Sequence, residues 1–119
     1  MNVPARVLIV AGSDSGGGAG LQADIKTVTM LGGYAATALT AITVQNTLGV
    51  SDIVAVAPEI VAAQMRAVLD DIGADIVKIG MLGDAEVIGA VAAVLRGARL
   101  PVVLDPVMVA KGGAALLAD

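Results

Sequence analysis

The stretch VLIVAGSDSGGGAGLQADIKTVTML, residues 7–31, decides the fold class of this chain. It opens with a run of apolar residues over 7–11, which predicts a buried strand, and continues with a glycine-rich loop over 12–18. Apolar residues then recur at helical spacing over 19–31, and the glycine pair 32–33 marks the end of a helix. A strand, a loop and a helix in this order are typical of the first unit of a parallel α/β fold.

The remainder of the chain repeats this alternation. The pattern predicts strands over 36–44, 52–56, 76–80 and 102–105, and helices over 58–72 and from the N-cap Asp84 to Gly97. The first of these strands is ambiguous, because Ala and Leu favour helix while Thr, Ile and Val favour strand, and its β-branched content decides for a strand. We therefore expect an α/β fold with a mostly parallel sheet flanked by helices. The sheet is expected to be incomplete, with an open edge at its last strand that tends to pair or aggregate.

The composition excludes several classes of function. The 119-residue chain has no His and no Cys, which excludes a Ser-His-Asp hydrolase, a thiolate metal site and a cysteine nucleophile within it. Seven basic against eleven acidic residues argue against nucleic acid as a partner, and Tyr34 is the one aromatic residue. No uninterrupted apolar span is long enough for a membrane helix, so we expect no membrane partner and a cytoplasmic location.

Polar residues, glycines and one flexible apolar residue follow the predicted strands. They are Gly12-Ser13-Asp14, Gln45-Asn46, Met81 and Asp105-Pro106-Val107. In open parallel sheets ligands bind outside the carboxyl ends of the strands, so these residues form a candidate binding edge. The alternative is that they are ordinary turn residues, which are common at strand ends.

The glycine-rich segment 16–20 permits two interpretations. It lacks the Gly-Lys-Ser/Thr ending of a Walker A loop, but Gly18, Gly20 and Ala23 fit a relaxed dinucleotide fingerprint. The acidic ribose partner expected after the second strand is absent, since Gln45-Asn46 is uncharged there. The other interpretation is a loop whose missing side chains let backbone approach a neighbouring element or a ligand closely.

Four charged residues are candidates for chemistry. Helical spacing places Asp24 on the inward stripe of the first helix, where it either bonds the amides of its own first turn or accepts a hydrogen bond from an amino group of a ligand. Lys78 lies inside a short apolar strand, where a snorkelling or paired structural role is more common than a catalytic one. Asp105 is a turn-forming residue or a carboxylate that organises Mg²⁺ or a Lys beside a phosphate, and Lys111 before Gly112-Gly113 could lie near such a phosphate.

The motifs together resemble a known family. Ala11-Gly-Ser-Asp-Ser-Gly-Gly-Gly-Ala-Gly-Leu-Gln-Ala-Asp-Ile-Lys-Thr27 resembles the opening of the hydroxymethylpyrimidine/phosphomethylpyrimidine kinases, which belong to the ribokinase-like superfamily and act in thiamine biosynthesis. The segments 40–47, 78–81 and 104–111 match the same family in order. The Asp105-Pro-Val block is also similar to that of related vitamin kinases such as pyridoxal kinase.

The resemblance implies a ribokinase-like fold and ATP-dependent phosphorylation of 4-amino-5-hydroxymethyl-2-methylpyrimidine and its monophosphate. It implies ATP and Mg²⁺ as cofactors and a homodimer as the assembly. It places Asp105 and Lys111 toward the ATP phosphates and Mg²⁺. The substrate-binding residues that it implies are Gly12, Asp24, Gln45, Met81 and Val107.

The resemblance covers essentially all of residues 1–119 and identifies them with the N-terminal half of a single kinase domain. In the family the second half carries the glycine-rich anion hole, the residue that activates the hydroxyl and most of the nucleotide site. Catalytic residues are therefore expected outside this chain, and the chain alone is expected to be inactive. Two alternatives stay open at this point: a pyridoxal kinase-like vitamin kinase, and a non-catalytic pyrimidine-binding module.

Overall fold

A computed structural model describes residues 3–110 and 112–118 of the chain, and its described part is a layered α/β structure. The central sheet has four parallel strands in the order β2-β1-β5-β6, and a separate antiparallel hairpin is formed by β3 and β4. In chain order the elements are β1 (Arg6–Ala11), α1 (Gly20–Met30), β2 (Tyr34–Leu39), β3 (Ala41–Asn46), β4 (Gly49–Ala55), α2 (Pro58–Asp71), β5 (Ile76–Ile79), α3 (Ala85–Ala98) and β6 (Val102–Leu104).

The central strand β1 of the parallel sheet is covered on both faces, as the sequence predicts for near-continuous apolar strands. In β1 the side chains of Leu8 and Val10 belong to the core that packs against α2 and α3. The alternate residues Ile9 and Ala11 belong to a second, smaller core that includes Leu21 of α1. This two-residue alternation puts α1 on one face of the sheet and α2 with α3 on the other. The expected α/β fold with a mostly parallel sheet flanked by helices is confirmed.

The strand predicted over 36–44 is wrong as a single element, because the chain leaves the sheet at Thr40. The Thr40 amide donates to the carbonyl of Ala11 at 2.9 Å, and its own carbonyl accepts from the Val56 amide at 2.9 Å. Its hydroxyl donates to the carbonyl of Met81 at 2.6 Å. These bonds turn the chain out of β2 and into β3. The strand predicted over 52–56 consequently lies in the hairpin rather than in the parallel sheet.

The helix ends follow the predicted signals with one exception. Asp84 caps α3, with its Oδ1 accepting from the Val87 amide at 2.9 Å, and Pro58 opens α2. The exception is the end of α3, which continues past Gly97 to Ala98. Arg99 then closes the helix in the left-handed conformation, with φ of 52°. The helix therefore ends one residue later than predicted, and its left-handed cap is Arg99 and not the glycine.

The two edges of the parallel sheet differ. At the outer edge of β2 the side-chain amide of Gln64 accepts from the Leu39 amide at 2.9 Å and donates to the Leu39 carbonyl at 3.0 Å, as a neighbouring strand would. At the opposite edge the side chains of β6 are exposed, from 42% at Val102 to 61% at Leu104. One edge is thus blocked at its carboxyl end by a side chain, and the other is open.

At the amino end of the parallel sheet, an ion pair joins β1 to the residue that precedes β5. Arg6 Nη2 lies 3.0 Å from Asp75 Oδ1, and the Arg6 amide donates to Asp75 Oδ2 at 2.7 Å. Hydrogen bonds from Arg6 lower the pKa of the Asp75 carboxyl to about 2. Among the described residues, no helix has both the length and the apolar character needed to cross a membrane.

Candidate functional site

A cavity of about 380 Å³ opens at the carboxyl ends of β1 and β5. Residues from the loop after β1, from α1, from β3 and from the segments after β5 and β6 line it. All five residues predicted to bind a substrate are in its wall, and Asp105 joins them there. Lys111 lies outside the described residues. The predicted members that line the cavity are Gly12, Asp24, Gln45, Met81, Asp105 and Val107.

The glycine-rich loop folds around the carboxylate of Asp14, whose residue is only 5% exposed. Asp14 Oδ1 accepts from the Gly16 amide at 2.8 Å, and Oδ2 accepts from the amides of Gly18 and Ala19 at 2.9 and 2.8 Å. These are the amides that a phosphate would need at the start of α1. Because an internal anion occupies them, the structure favours the close-approach interpretation of the loop over a dinucleotide site.

Gly20 shows how closely the backbones approach in this loop. Its φ is +58°, and a Cβ there would lie 2.5 Å from the carbonyl oxygen of Gly12. That same carbonyl accepts from the amide of Leu21 at 2.8 Å. The start of α1 is therefore held directly against the end of β1, which brings Asp24 one turn later to the cavity.

Hydrogen bonds of two serines join the β3–β4 hairpin to the loop after β1. Ser13 Oγ accepts from the Thr43 amide at 2.9 Å, and Ser13 O accepts from the Thr43 hydroxyl at 2.7 Å. Ser15 Oγ accepts from the Gln45 amide at 2.7 Å and donates to the Gln45 carbonyl. The register of the hairpin shifts between Val44 and Gln45, at the same place. These bonds put Gln45 into the cavity wall from an antiparallel hairpin, and not from the end of a parallel strand as expected.

Asp24 of α1 forms an ion pair with Lys78 of β5, on the face of the sheet that α1 covers. Lys78 Nζ donates to Asp24 Oδ2 at 2.7 Å, with the two side chains 25% and 22% exposed respectively. Of the two alternatives for Asp24, the structure does not support a bond to the amides of its own first turn, since Asp14 takes the amides at that end of the helix. The paired role considered for Lys78 is confirmed. Lys78 also lines the cavity, and sequence reasoning did not include it among the site residues.

Met81 forms an apolar wall. It is 7% exposed, and the methyl group of its side chain lies against Gly12, so closely that a Cβ at position 12 would collide with it. Val107 adds a second, half-buried apolar side chain. The cavity thus combines apolar contact with polar groups at fixed positions, which is typical of a small-molecule site.

Asp105 lies at the rim of the cavity. Its amide donates to the Ile79 carbonyl at 2.9 Å, which holds it directly after β6, and its side chain is exposed. Among residues 3–110 and 112–118 no three potential metal ligands from His, Cys, Asp and Glu lie together. Asp105 is the exposed carboxylate at the rim that could contribute to a Mg²⁺ site.

The parallel sheet, the hairpin beside its carboxyl edge and the cavity between them define the chain as part of a ribokinase-like domain. More narrowly, the chain belongs to the phosphomethylpyrimidine kinase family, whose sequence profile matches residues 14–119. The resemblance inferred from the motifs is confirmed.

Curated relatives are similar over nearly the whole chain. The chain is 62% identical over 112 residues to a thiamine biosynthesis bifunctional protein of Geobacter sulfurreducens, covering 93% of this chain and 23% of that protein. It is 52% identical over 117 residues to a hydroxymethylpyrimidine/phosphomethylpyrimidine kinase of Mycobacterium bovis, covering 97% of this chain and 42% of that protein. The chain thus spans less than half the length of these relatives.

Solved structures share the fold. The phosphomethylpyrimidine kinase of Clostridium difficile matches with a TM-score of 0.87 and 43% identity, over 96% of this chain and 50% of that chain. The pyridoxal kinase of Staphylococcus aureus in complex with pyridoxal matches with a TM-score of 0.83 and 39% identity, over 93% of this chain and 42% of that chain. Both comparisons place the described elements in a ribokinase-like domain.

Proposed function

We propose that this chain supplies the pyrimidine pocket of a kinase that phosphorylates 4-amino-5-hydroxymethyl-2-methylpyrimidine and its monophosphate, with ATP, in thiamine biosynthesis. The observation that carries the proposal is the cavity, which gathers all five substrate-binding residues implied by the motifs. Those residues come from separate elements of the fold, so their meeting is not a consequence of sequence proximity. The names of the relatives support the same activity.

The side chains of the cavity suit a neutral aminopyrimidine. Asp24 offers a carboxylate oxygen to the amino group, and Gln45 offers an amide that can donate to or accept from the hydroxymethyl arm. Met81 and Val107 contact the ring and its methyl group. Gly12 lacks a side chain, which leaves room for the methyl end of Met81 in the cavity wall. Burying these polar groups against a ligand without matching atoms would cost free energy, which gives the pocket its selectivity.

ATP and Mg²⁺ belong to the proposal as cofactors of the complete kinase. Bound Mg²⁺ would neutralise charge on the transferring phosphate. Within the described residues the chain can contribute Asp105 toward it, and the motif also puts Lys111 on that side. Because the chain spans half or less of its relatives, we propose that the remaining catalytic groups come from a second half, and that the chain alone does not turn over. The expected homodimer stays a prediction.

Pyridoxal is the second candidate substrate. The similarity to the Staphylococcus aureus kinase that was solved with pyridoxal favours it. The ring of pyridoxal carries a hydroxyl and an aldehyde but no amino group, and its hydroxyl could donate to Asp24 as well. The family profile that matches residues 14–119 therefore carries the preference for the aminopyrimidine.

Isothermal titration of the chain with the two compounds tests the proposal. Hydroxymethylpyrimidine is expected to bind more tightly than pyridoxal, and Asp24→Ala and Gln45→Ala are each expected to weaken its binding roughly tenfold, because ligand atoms lose their partners. Unchanged pyrimidine affinity in both variants would remove these residues from the pocket. Phosphorylation after addition of the complementary half of a homologous kinase would separate a kinase from a non-catalytic binding module.

A further inference from the structure

Lys78 is a charged residue inside the central sheet. Its strand neighbours Val77 and Ile79 are buried in the core against α2 and α3. Lys78 points to the opposite face, and the residue beside it in β1 is the fully buried Ile9. A cation at such a position needs a partner, which Asp24 provides.

Stability alone does not require an ion pair at these two positions. Replacing a largely buried ion pair by apolar side chains of similar volume is often neutral or stabilising, since desolvation offsets much of the attraction. Apolar side chains at both positions would extend the core of Ile9, Ala11 and Leu21, which packs between α1 and the sheet. Lys78 and Asp24 both line the cavity, so their role is to be sought there.

The pair presents unused hydrogen-bonding capacity to the cavity. Lys78 Nζ donates to Asp24 Oδ2 at 2.7 Å. Within residues 3–110 and 112–118, Asp24 Oδ1 accepts no hydrogen bond and Nζ donates to no other acceptor. An ammonium carries three N–H groups, so donors remain beside a carboxylate acceptor. Gly80 leaves room at this point, because a Cβ there would lie 3.3 Å from Nζ.

We propose that Lys78 and Asp24 together recognise one edge of the aminopyrimidine ring. Asp24 Oδ1 accepts from the exocyclic amino group, and Lys78 donates to the ring nitrogen next to it. Lys78 is then a specificity-determining residue, and this inference rests on the proposed function. A ring with an oxo group and an N–H at the same edge does not match the pair. Its oxo oxygen would face the Asp24 carboxylate, and its N–H would face the Lys78 ammonium, so such a ring would bind weakly.

The test compares two probes, hydroxymethylpyrimidine with its amino group and the analogue with an oxo group in its place. Each is titrated by calorimetry into the wild-type chain, into Lys78→Met and into the matched control Lys26→Met. Lys26 is exposed and donates to the Gly17 carbonyl at 2.8 Å, away from the cavity wall. We expect the wild type and Lys26→Met to prefer the amino probe by roughly tenfold or more, and Lys78→Met to lose that preference.

The ratio between the two probes separates recognition from a structural role, because a structural ion pair would affect both equally. A Lys78→Met chain that keeps the wild-type ratio overturns the inference. If Lys78→Met fails to fold, as judged by circular dichroism, equal binding of the two probes to the wild type overturns it instead. A wild type that binds neither probe overturns the proposed function, and a wild type that binds both equally overturns only the role of Lys78.

Discussion

The hydroxyl of Thr40 donates to the carbonyl oxygen of Met81 across 2.6 Å, at a point where both residues are buried. This bond joins the place where the chain leaves β2 to the segment that follows β5. It thereby fixes the hairpin, which carries Gln45, relative to the wall formed by Met81. One buried side chain thus adds to the bonds of Ser13 and Ser15 that hold the hairpin at the cavity.

Thr40→Val is therefore expected to lower the free energy of unfolding by about 1–2 kcal/mol, because the Met81 carbonyl loses its donor without loss of side-chain volume. Urea denaturation measures the change. Thr29→Val, on the exposed face of α1, is the matched control and is expected to have little effect. Equal stability of Thr40→Val and wild type would show that the bond contributes nothing net.

Asp14→Asn is expected to destabilise the glycine-rich loop. A carboxylate accepts from three backbone amides here, whereas an Asn side chain turns an NH₂ group toward at least one of them. We expect a loss of about 1–3 kcal/mol in unfolding free energy and faster hydrogen exchange at Gly16, Gly18 and Ala19. Asp70→Asn on the exposed side of α2 serves as the control. Unaltered exchange at those three amides would contradict the proposed loop organisation.

Three glycine-to-alanine changes are expected to differ in their effect on stability. Gly20→Ala should be the most damaging, since φ is positive and the new methyl meets backbone. Gly12→Ala meets only the flexible end of Met81, so it should cost less stability but narrow the cavity and weaken pyrimidine binding. Gly89→Ala in α3 has open space and should stabilise by about 0.5–1 kcal/mol. Thermal unfolding of the three variants checks the order, and a reversed ranking of positions 12 and 20 would contradict it.

The ion pair between Arg6 and Asp75 predicts a pH dependence of stability. Its hydrogen bonds lower the pKa of Asp75 from 3.8 to about 2, so the folded state binds this proton less readily than the unfolded state does. The stabilisation that this ion pair gives the folded state is present above about pH 4 and is lost as the pH falls from about 4 through 2. Asp75→Asn should flatten the stability curve over this window. An identical slope in variant and wild type would show that other groups are responsible.

The 119-residue chain by itself is expected to show no kinase activity. Phosphoryl transfer requires bound nucleotide, an activated hydroxyl and groups that stabilise the developing charge, and the described cavity offers one rim carboxylate on that side. A coupled assay of ADP formation, with and without the complementary half of a homologous kinase, measures this. Turnover by the isolated, mass-verified chain at rates typical of small-molecule kinases would contradict the expectation.

The sequence was sufficient for the layers of the fold and for most of the cavity. Within the described residues, apolar periodicity predicted the helices and the strands β1, β5 and β6, because local burial determines these elements. The break at Thr40 could not be predicted, since it depends on bonds to Ala11, Val56 and Met81, which are distant in sequence. A β-branched run has the same composition whether it forms one strand or two.

The same reasoning explains what was found and missed in the site. Glycines, Asp24 and the residues at strand ends were recognisable by type and position. The fastening of the hairpin by Ser13 and Ser15 was not, because serine in a glycine-rich loop is equally common without such bonds. Lys78 and Asp24 are 54 positions apart in the sequence, so no local sequence pattern predicts that they pair.

Because the two edges of the parallel sheet differ, a further strand would add more easily at one edge than at the other. At the β2 edge Gln64 already occupies the donor and acceptor of Leu39, so an added strand would have to displace it. At the β6 edge backbone groups and the apolar side chains of Val102 to Leu104 stay available. Two chains that met through β6 would extend the parallel sheet, while Gln64 would still occupy the Leu39 position at each β2 edge. At the carboxyl end of the sheet, β6 is thus the edge that a further strand can join without displacing a side chain.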